Sequence, residues 1–273
     1  MADIRWRNVT NGIEITMRLV LPVDDIAELW TVTARNVSRR ARKVSVYPFF
    51  PIGWRGDLIN LCSWDDRVEG IVYDYFPYYV TVEDYYRNLK LKNSVYCAAD
   101  RKPTSYEAAL DDFKGGGLLH NPKALSKKRL GQGYARFEDG AAVFQYALAL
   151  RPGKSTEVNI LLAPAADRAE MKRLRRKYLA KGGVEKALWG VHRFLEKRPS
   201  PVRVETPDED FNNFVNEWLP RQALWIGRTF RNSFAPCCRN AITDAMGAVY
   251  NDPERVRYWF TRIWDCLLYT SDA

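Results

Sequence analysis

The stretch "AVFQYALALRPGKSTEVNILLAPA" (142–165) decides the fold. Phe144, Tyr146, Leu148 and Leu150 alternate with neighbours that point the other way, so an extended chain places them on one face. Pro152-Gly153 turns the backbone, and Val158, Ile160 and Leu162 resume the alternation. The local reading is a hairpin with one apolar face. "ELWTVTARNVSRRARKVSVYPFF" (28–50) repeats it: Trp30, Val32 and Ala34 share a face, Asn36-Val37-Ser38 turns the chain, and Val44 and Val46 return. These units, with turn-bounded strands between them, predict an antiparallel β-sandwich over residues 1–165.

One segment of that domain has neither period. "DDFKGGGLLHNPKALSKKRLGQGYARFEDG" (111–140) is glycine-rich and reads as a long excursion between strands, of the kind that carries binding residues. Gly115–Gly117 are not a phosphate loop, because no strand–Gly–Lys–helix context surrounds them. His120 lies in this excursion without a visible partner.

Beyond residue 165 the period becomes helical. Asp167 and Glu170 form a capping-box variant ahead of Met171, Leu174 and Tyr178, and Gly182-Gly183 is expected to end that helix. Val184, Ala187, Leu188, Val191, Phe194 and Leu195 then follow helical spacing. His192, beside that stripe, reads as structural. These helices form a linker over 166–203, and the extended "KRPSPVRVETP" (197–207) leads on to the next helix. A third helix is expected from near Pro207, carrying Phe211, Phe214, Val215, Trp218 and Leu219, with Pro220 ending or kinking it. "TFRNSFAPCC" (229–238) reads as a loop, Ala241–Val249 as a helix, and Asp252-Pro253 as the start of another. Helix pairs of this sort bury their second faces by stacking on further pairs.

Composition bounds the function. With 273 residues, 47% hydrophobic and 27% charged, the chain is globular and can bury a sizeable core. The aromatic share, 13%, suits stacking on sugar faces but equally fills cores. The formal charge of +9 is concentrated in "KKRL" (127–130) and "EMKRLRRKYLAKGG" (170–183). Without zinc spacing, a helix-turn-helix or a base-stacking motif, a nucleic-acid partner ranks last. No apolar run approaches the roughly 18–20 residues of a membrane span. The five cysteines, odd in number and without a CxxC pair, fit reduced thiols in a cytoplasm, and nothing marks a secretory signal.

The candidate chemistry lies in "CCRNAITDAMGAVYNDPERVRYWF" (237–260). Arg239 and Asp244 would not face each other on one helix. If Arg239 precedes the helix, both side chains can reach one cavity above its N-terminus, where the dipole favours an anion or an oxygen-rich ligand. By spacing alone, an ordinary charge pair is the simpler reading.

A resemblance along most of the chain changes that balance. "ETPDEDFNNFVNEWLPRQALW" (205–225) resembles the barrel entry of glycoside hydrolase family 94, the cellobiose, cellodextrin and chitobiose phosphorylase group, with its "TPD…N.WL.YQ" signature. "RTFRNSF" (228–234) is similar to the family's "R.W.RS.F" element, and Arg239–Asp244 falls on its "RDxxxD" motif. Upstream, "PVDDIAELWTVTARNVSRRARKVSVYPFF" (22–50), "NPKAL" (121–125) and "LALRPGKSTEVNILLAPA" (148–165) resemble its β-domain segments in the same order.

The resemblance implies an α+β multidomain protein: an antiparallel β-sandwich, linker helices, and over 204–265 the incomplete start of an (α/α)6 catalytic barrel. It implies reversible, inverting phosphorolysis of β-glucosidic bonds in cello-oligosaccharides, with inorganic phosphate as co-substrate, no cofactor and no metal, and α-glucose 1-phosphate as product. Asp244 would be the proton donor, with Arg239, Asn240 and Arg231 contacting the substrate. Asn240 departs from the usual Asp, and the loop from Phe234 to Arg239 is shorter than the family's "YQSGGA" form. Longer acceptors, as in the cellodextrin branch, are the expectation. The full-length parent is expected to be a cytoplasmic homodimer whose N-terminal domain contributes contacts near the neighbouring active site. "CLLYTSDA" (266–273) leaves the family pattern and reads as a non-native tail, and the opening residues begin inside a strand region. The chain thus reads as an inactive fragment of an enzyme; a non-catalytic carbohydrate-binding or dimerisation module is the alternative.

Overall fold

The computed structural model describes residues 2–52, 60–75, 92, 94–197, 202–226, 243, 245–254, 256–258 and 260–261. The chain divides into two compact units, Met1–Leu195 and Glu196–Ala273.

The first unit is a β-sandwich. Its strands are β1 (Ile4–Thr10), β2 (Ile13–Val20), β3 (Glu28–Asn36), β4 (Arg42–Val46), β5 (Phe49–Ile52), β6 (Asn60–Asp65), β7 (Gly70–Tyr75), β8 (Ser94–Ala99), β9 (Ser105–Ala109), β10 (Ala135–Arg136), β11 (Gly140–Leu150) and β12 (Ser155–Ala165). An eight-stranded sheet runs β1-β2-β3-β12-β8-β7-β6-β10, antiparallel throughout. The smaller sheet is built on β11. β4 and β5 pair with it in one continuous register, broken only at Tyr47-Pro48, where the Phe144 N–H donates to the Pro48 carbonyl at 3.1 Å. β9 also pairs with β11.

The expected hairpins are corrected by this topology. β3 and β12 pair with each other in the large sheet, whereas β4 and β11 pair in the small one. The turns at 36–41 and 151–154 therefore carry the chain from sheet to sheet, as two stacked arches. Asn36, fully buried, closes both. Its Nδ2 donates to the carbonyls of Arg40 (2.7 Å) and Leu150 (2.9 Å), while its Oδ1 accepts from the N–H and the hydroxyl of Ser38. The Asn36 backbone exchanges bonds with the second arch, its N–H with Lys154 and its carbonyl with Gly153. Gly153, at φ +73°, supplies the left-handed turn residue.

Between the sheets lie Val32, Ile71, Tyr73, Cys97, Val158 and Ile160 from the large one and Ala142, Phe144 and Tyr146 from the small one. The opposite face of the large sheet is also apolar, with Leu29, Val72, Tyr96, Leu161 and Ala163. α2 (Arg168–Tyr178) and α3 (Gly183–Glu196) cover it through Met171, Leu174, Tyr178, Val184 and Val191. Burial on both faces explains why β12 reads as the near-continuous run "ILLAPA". α2 starts as expected: Asp167 accepts from the Glu170 N–H, and Glu170 reaches back to the Ala166 N–H. It ends at Tyr178, ahead of the glycines. Gly183 instead opens α3, where a Cβ would lie 2.5 Å from the Tyr178 carbonyl oxygen.

Ion pairs staple α2 to the sheet. Arg168 grips Asp74 through both terminal nitrogens (2.8 and 2.6 Å) and donates through Nε to Asp65. Asp25 accepts from Arg173, Lys177 and the Tyr178 hydroxyl. Burial alone would raise the Asp25 carboxyl, but these three donors outweigh it and hold it well below the usual carboxylate range. Asp65 is held down likewise, chiefly by Arg67, against its burial and with help from Arg168. A carboxyl with a depressed folded pKa contributes stability that is present above its unfolded pKa and lost as pH falls through and below that value. The urea midpoint of the chain is therefore expected to drop between about pH 6 and about pH 3. Asp25→Asn should start lower at pH 6 and show a shallower drop; an equal drop would contradict the assignment.

Candidate functional site

The residues expected to do chemistry, Arg231, Arg239, Asn240 and Asp244, lie outside the described residues, as do Cys237, Cys238 and Cys266. Their described neighbours give the local frame. Residues 243 and 245–248 are helical, and a second helical stretch includes 253–254, 256–258 and 260–261. Ala245, Ala248 and Val256 are buried against each other with Phe260 beside them. The Val249 N–H bonds to the Ala245 carbonyl, and the Val256 N–H to that of Asp252. The small residues at 245 and 248 are thus what lets the second stretch approach the first.

The entry to this unit shows what two of its asparagines do physically. Asp208 caps α4 (Glu209–Asn213) by accepting from the Phe211 N–H. Asn212 bonds both the N–H and the carbonyl of Thr206 (2.9 and 2.8 Å); Asn216 does the same to Val204 (2.8 and 2.7 Å). Spaced four apart, the two amides imitate a strand partner and hold the extended segment along the helix. The helix then widens to a π-turn at Phe214–Trp218, with the Leu219 N–H bonded to the Phe214 carbonyl, before α5 (Leu219–Ile226). Pro220 neither ends nor breaks it: proline has no N–H to offer, and the wider turn rearranges the pairing just ahead of it. Phe214 and Trp218 stack at 5.4 Å on an exposed face.

In the β-domain, the excursion 111–140 is anchored on the small sheet at a few points while most of its residues stay exposed. α1 (Leu110–Lys114), a 3-10 turn at Lys123–Ser126 and β10 punctuate it. Phe113, Ala124 and Leu130 are buried on Ala141 and Val143, the outer face of β11. Its anchor is Glu107, which the sequence reading missed because strand alternation gives no sign of a buried carboxylate. Glu107 is only 2% exposed. Burial pushes its carboxyl up, Asp112 adds to that, and the N–H groups of Ala109, Ala108 and Gly133 offset part of it. Gly131 and Gly133 cross directly over this carboxylate, where a Cβ would fall 2.8 and 2.7 Å from its oxygens. Closed off by glycines, Glu107 is a clasp and not an acid open to substrate. His120 and His192 are both exposed.

Cys62 and Cys97 are buried free thiols, and burial pushes Cys62 up to about 12, so neither is a nucleophile at neutral pH. Among the described residues no cluster of three or more His, Cys, Asp or Glu could hold a metal. No helix among them is long and apolar enough to cross a membrane.

Comparison with known proteins gives the lineage. Cellobionic acid phosphorylase of Neurospora crassa is 39% identical over 258 residues, covering 94% of this chain and 33% of that protein. A 3-O-β-D-glucopyranosyl-β-D-glucuronide phosphorylase of Paenibacillus borealis is 29% identical, with 90% and 32% covered. Solabiose phosphorylase of the same organism is 24% identical, with 93% and 35% covered. The chain spans about a third of the length of these curated relatives. A family model described as glycosyl hydrolase 94, supersandwich domain, matches residues 1–181, the segment containing both sheets and α2. The chain therefore belongs to glycosyl hydrolase family 94.

Proposed function

We propose that the chain is part of an inverting β-glucoside phosphorylase whose departing saccharide carries a carboxylate. The observation that carries this reading is the similarity, over at least nine-tenths of the chain, to two phosphorylases named for acidic saccharides, cellobionic acid and a glucosyl-glucuronide. The neutral cello-oligosaccharides implied by the motifs are the competing substrates.

In this mechanism Asp244, protonated, gives its proton to the glycosidic oxygen as the bond to the anomeric carbon breaks. An oxygen of inorganic phosphate attacks that carbon from the opposite face. The products are α-glucose 1-phosphate and the free saccharide. Phosphate replaces the water and base of an inverting hydrolase, so one carboxyl suffices. Its pKa must sit near the working pH, through burial or the nearby phosphate. Arg239, Asn240 and Arg231 hold the donor sugar; Asn240, in place of the family Asp, can both accept from and donate to its hydroxyls. A cytoplasmic homodimer without metal or organic cofactor completes the reading, on the strength of the family resemblance.

The acceptor is tested in the synthetic direction. With α-glucose 1-phosphate as donor, the full-length protein should use gluconate or glucuronate over glucose by about a hundredfold in kcat/KM, the worth of a charge-assisted pair left unmade by the neutral sugar. Preference for glucose or cellobiose would restore the cello-oligosaccharide reading.

A further inference from the structure

α2 carries six basic residues, and their partners can be counted. Arg168, Arg173, Arg175 and Lys177 are each paired with carboxylates of the sheet, its turns or α2 itself. Lys172 and Arg176 meet no carboxylate among the described residues. Four apart, they share one face of the helix. That face borders a cleft of about 450 Å³ between α2 and the turn joining β6 to β7, lined also by Arg67, Glu69, Arg175 and Asp66.

The turn wall is built rigidly. Arg67 is clamped on Asp65 through two nitrogens, at 2.9 and 2.7 Å. The Tyr96 hydroxyl holds the Val68 carbonyl at 2.5 Å, and Glu69 sits at φ +51°. Arg175 crosses the cleft from α2 to Glu69 at 2.6 Å and to the Ala99 carbonyl at 2.8 Å. Arg67 and Arg175 are thus neutralised locally, while Asp66 accepts from the Trp64 indole N–H at 2.7 Å, a neutral donor that leaves its charge in place. One ammonium and one guanidinium, Lys172 and Arg176, are left without a carboxylate partner among the described residues; they outnumber the single Asp66 carboxylate and border a recess whose opposite wall is fixed. A guanidinium beside an ammonium suits a compact multivalent oxyanion, and a fixed wall lowers the ordering cost of binding it.

We propose that this cleft is an anion site for a phosphate group, free or carried by a sugar, with Lys172 and Arg176 as its ligands. The site lies within the β-domain and does not depend on the catalytic reading of Asp244.

The test uses the 273-residue chain at low ionic strength. Inorganic phosphate, α-glucose 1-phosphate and glucose are titrated by calorimetry and by 31P NMR, on the native chain and on Lys172→Gln/Arg176→Gln. A second double variant, Arg39→Gln/Arg40→Gln, removes the same charge from the exposed turn after β3. The native chain should bind phosphate saturably, and the cleft variant should bind about tenfold or more weakly with unchanged thermal midpoint. The turn variant should bind as the native chain does. Tighter binding of α-glucose 1-phosphate than of phosphate assigns the sugar-borne source; the reverse order assigns the free ion. Non-saturable phosphate binding, equal losses in the two variants, or glucose binding as tightly as the phosphates would each overturn the proposal.

Discussion

Asn36→Ala is expected to cost the β-domain about 3 kcal/mol, because it removes four hydrogen bonds of a buried amide at once, one of them to the buried Leu150 carbonyl. The substitution takes the Asn36 donor from the carbonyls of Arg40 and Leu150 and the acceptor from the Ser38 N–H, while the Ser38 hydroxyl and the Arg40 carbonyl keep their bond to each other at 3.1 Å. Water cannot replace the amide, since Asn36 is fully buried. Asn36→Asp is the sharper probe. It keeps the acceptor for Ser38 but turns a donor into a carboxylate facing two carbonyls, so it should be at least as damaging above the carboxylate pKa. Urea unfolding followed by far-ultraviolet circular dichroism measures the effect. A change below about 1 kcal/mol in Asn36→Ala would show that the arches are held by strand pairing alone.

The second large effect concerns chemistry. On the proposed role of Asp244 as proton donor, Asp244→Asn in the full-length protein should lower kcat for phosphorolysis by about a thousandfold. KM should change little, because the amide keeps the shape and hydrogen-bonding reach of the carboxyl. A synthetic acceptor whose leaving group needs no proton, such as a nitrophenol, should recover much of the rate. That recovery distinguishes an acid from a residue that merely supports the helix. Full activity in Asp244→Asn with the native saccharide would remove Asp244 from the mechanism.

These predictions differ in what the sequence disclosed. Alternation in 142–165 correctly placed Val158, Ile160 and Leu162 on one face with Phe144 and Tyr146, and that face is the sandwich core. It could not say that the turn between them changes sheets. An arch and a hairpin have the same period, and the difference is set by distant strands, β3 and β4, and by the Asn36 amide. Positions of the opposite parity on β12, Leu161 and Ala163, read as a strand facing solvent in an ordinary sandwich. They are buried because α2 and α3 cover them. The helix start at Asp167 was legible, since capping is a local contest between side chain and backbone. The continuation through Pro220 was not, because a π-turn is a rare answer to a missing N–H.

The site divides in the same way. The family resemblance marks Arg239 and Asp244 by order and spacing, and both lie outside the described residues. Glu107 gave no such mark, since its role depends on glycines more than twenty positions away crossing over it. Lys172 and Arg176, without a carboxylate partner among the described residues, sit inside the basic run 170–183 that the sequence shows only as concentrated charge. Only the count of partners on α2 separated them from their stapled neighbours.

The central claim, phosphorolysis with inversion, is tested most directly by 1H and 31P NMR of the full-length protein mixed with cellobionic acid and inorganic phosphate. α-Glucose 1-phosphate should be the first-formed sugar phosphate, appearing in step with free gluconate and only when phosphate is present. Release of glucose without phosphate, or formation of the β-anomer, would contradict it.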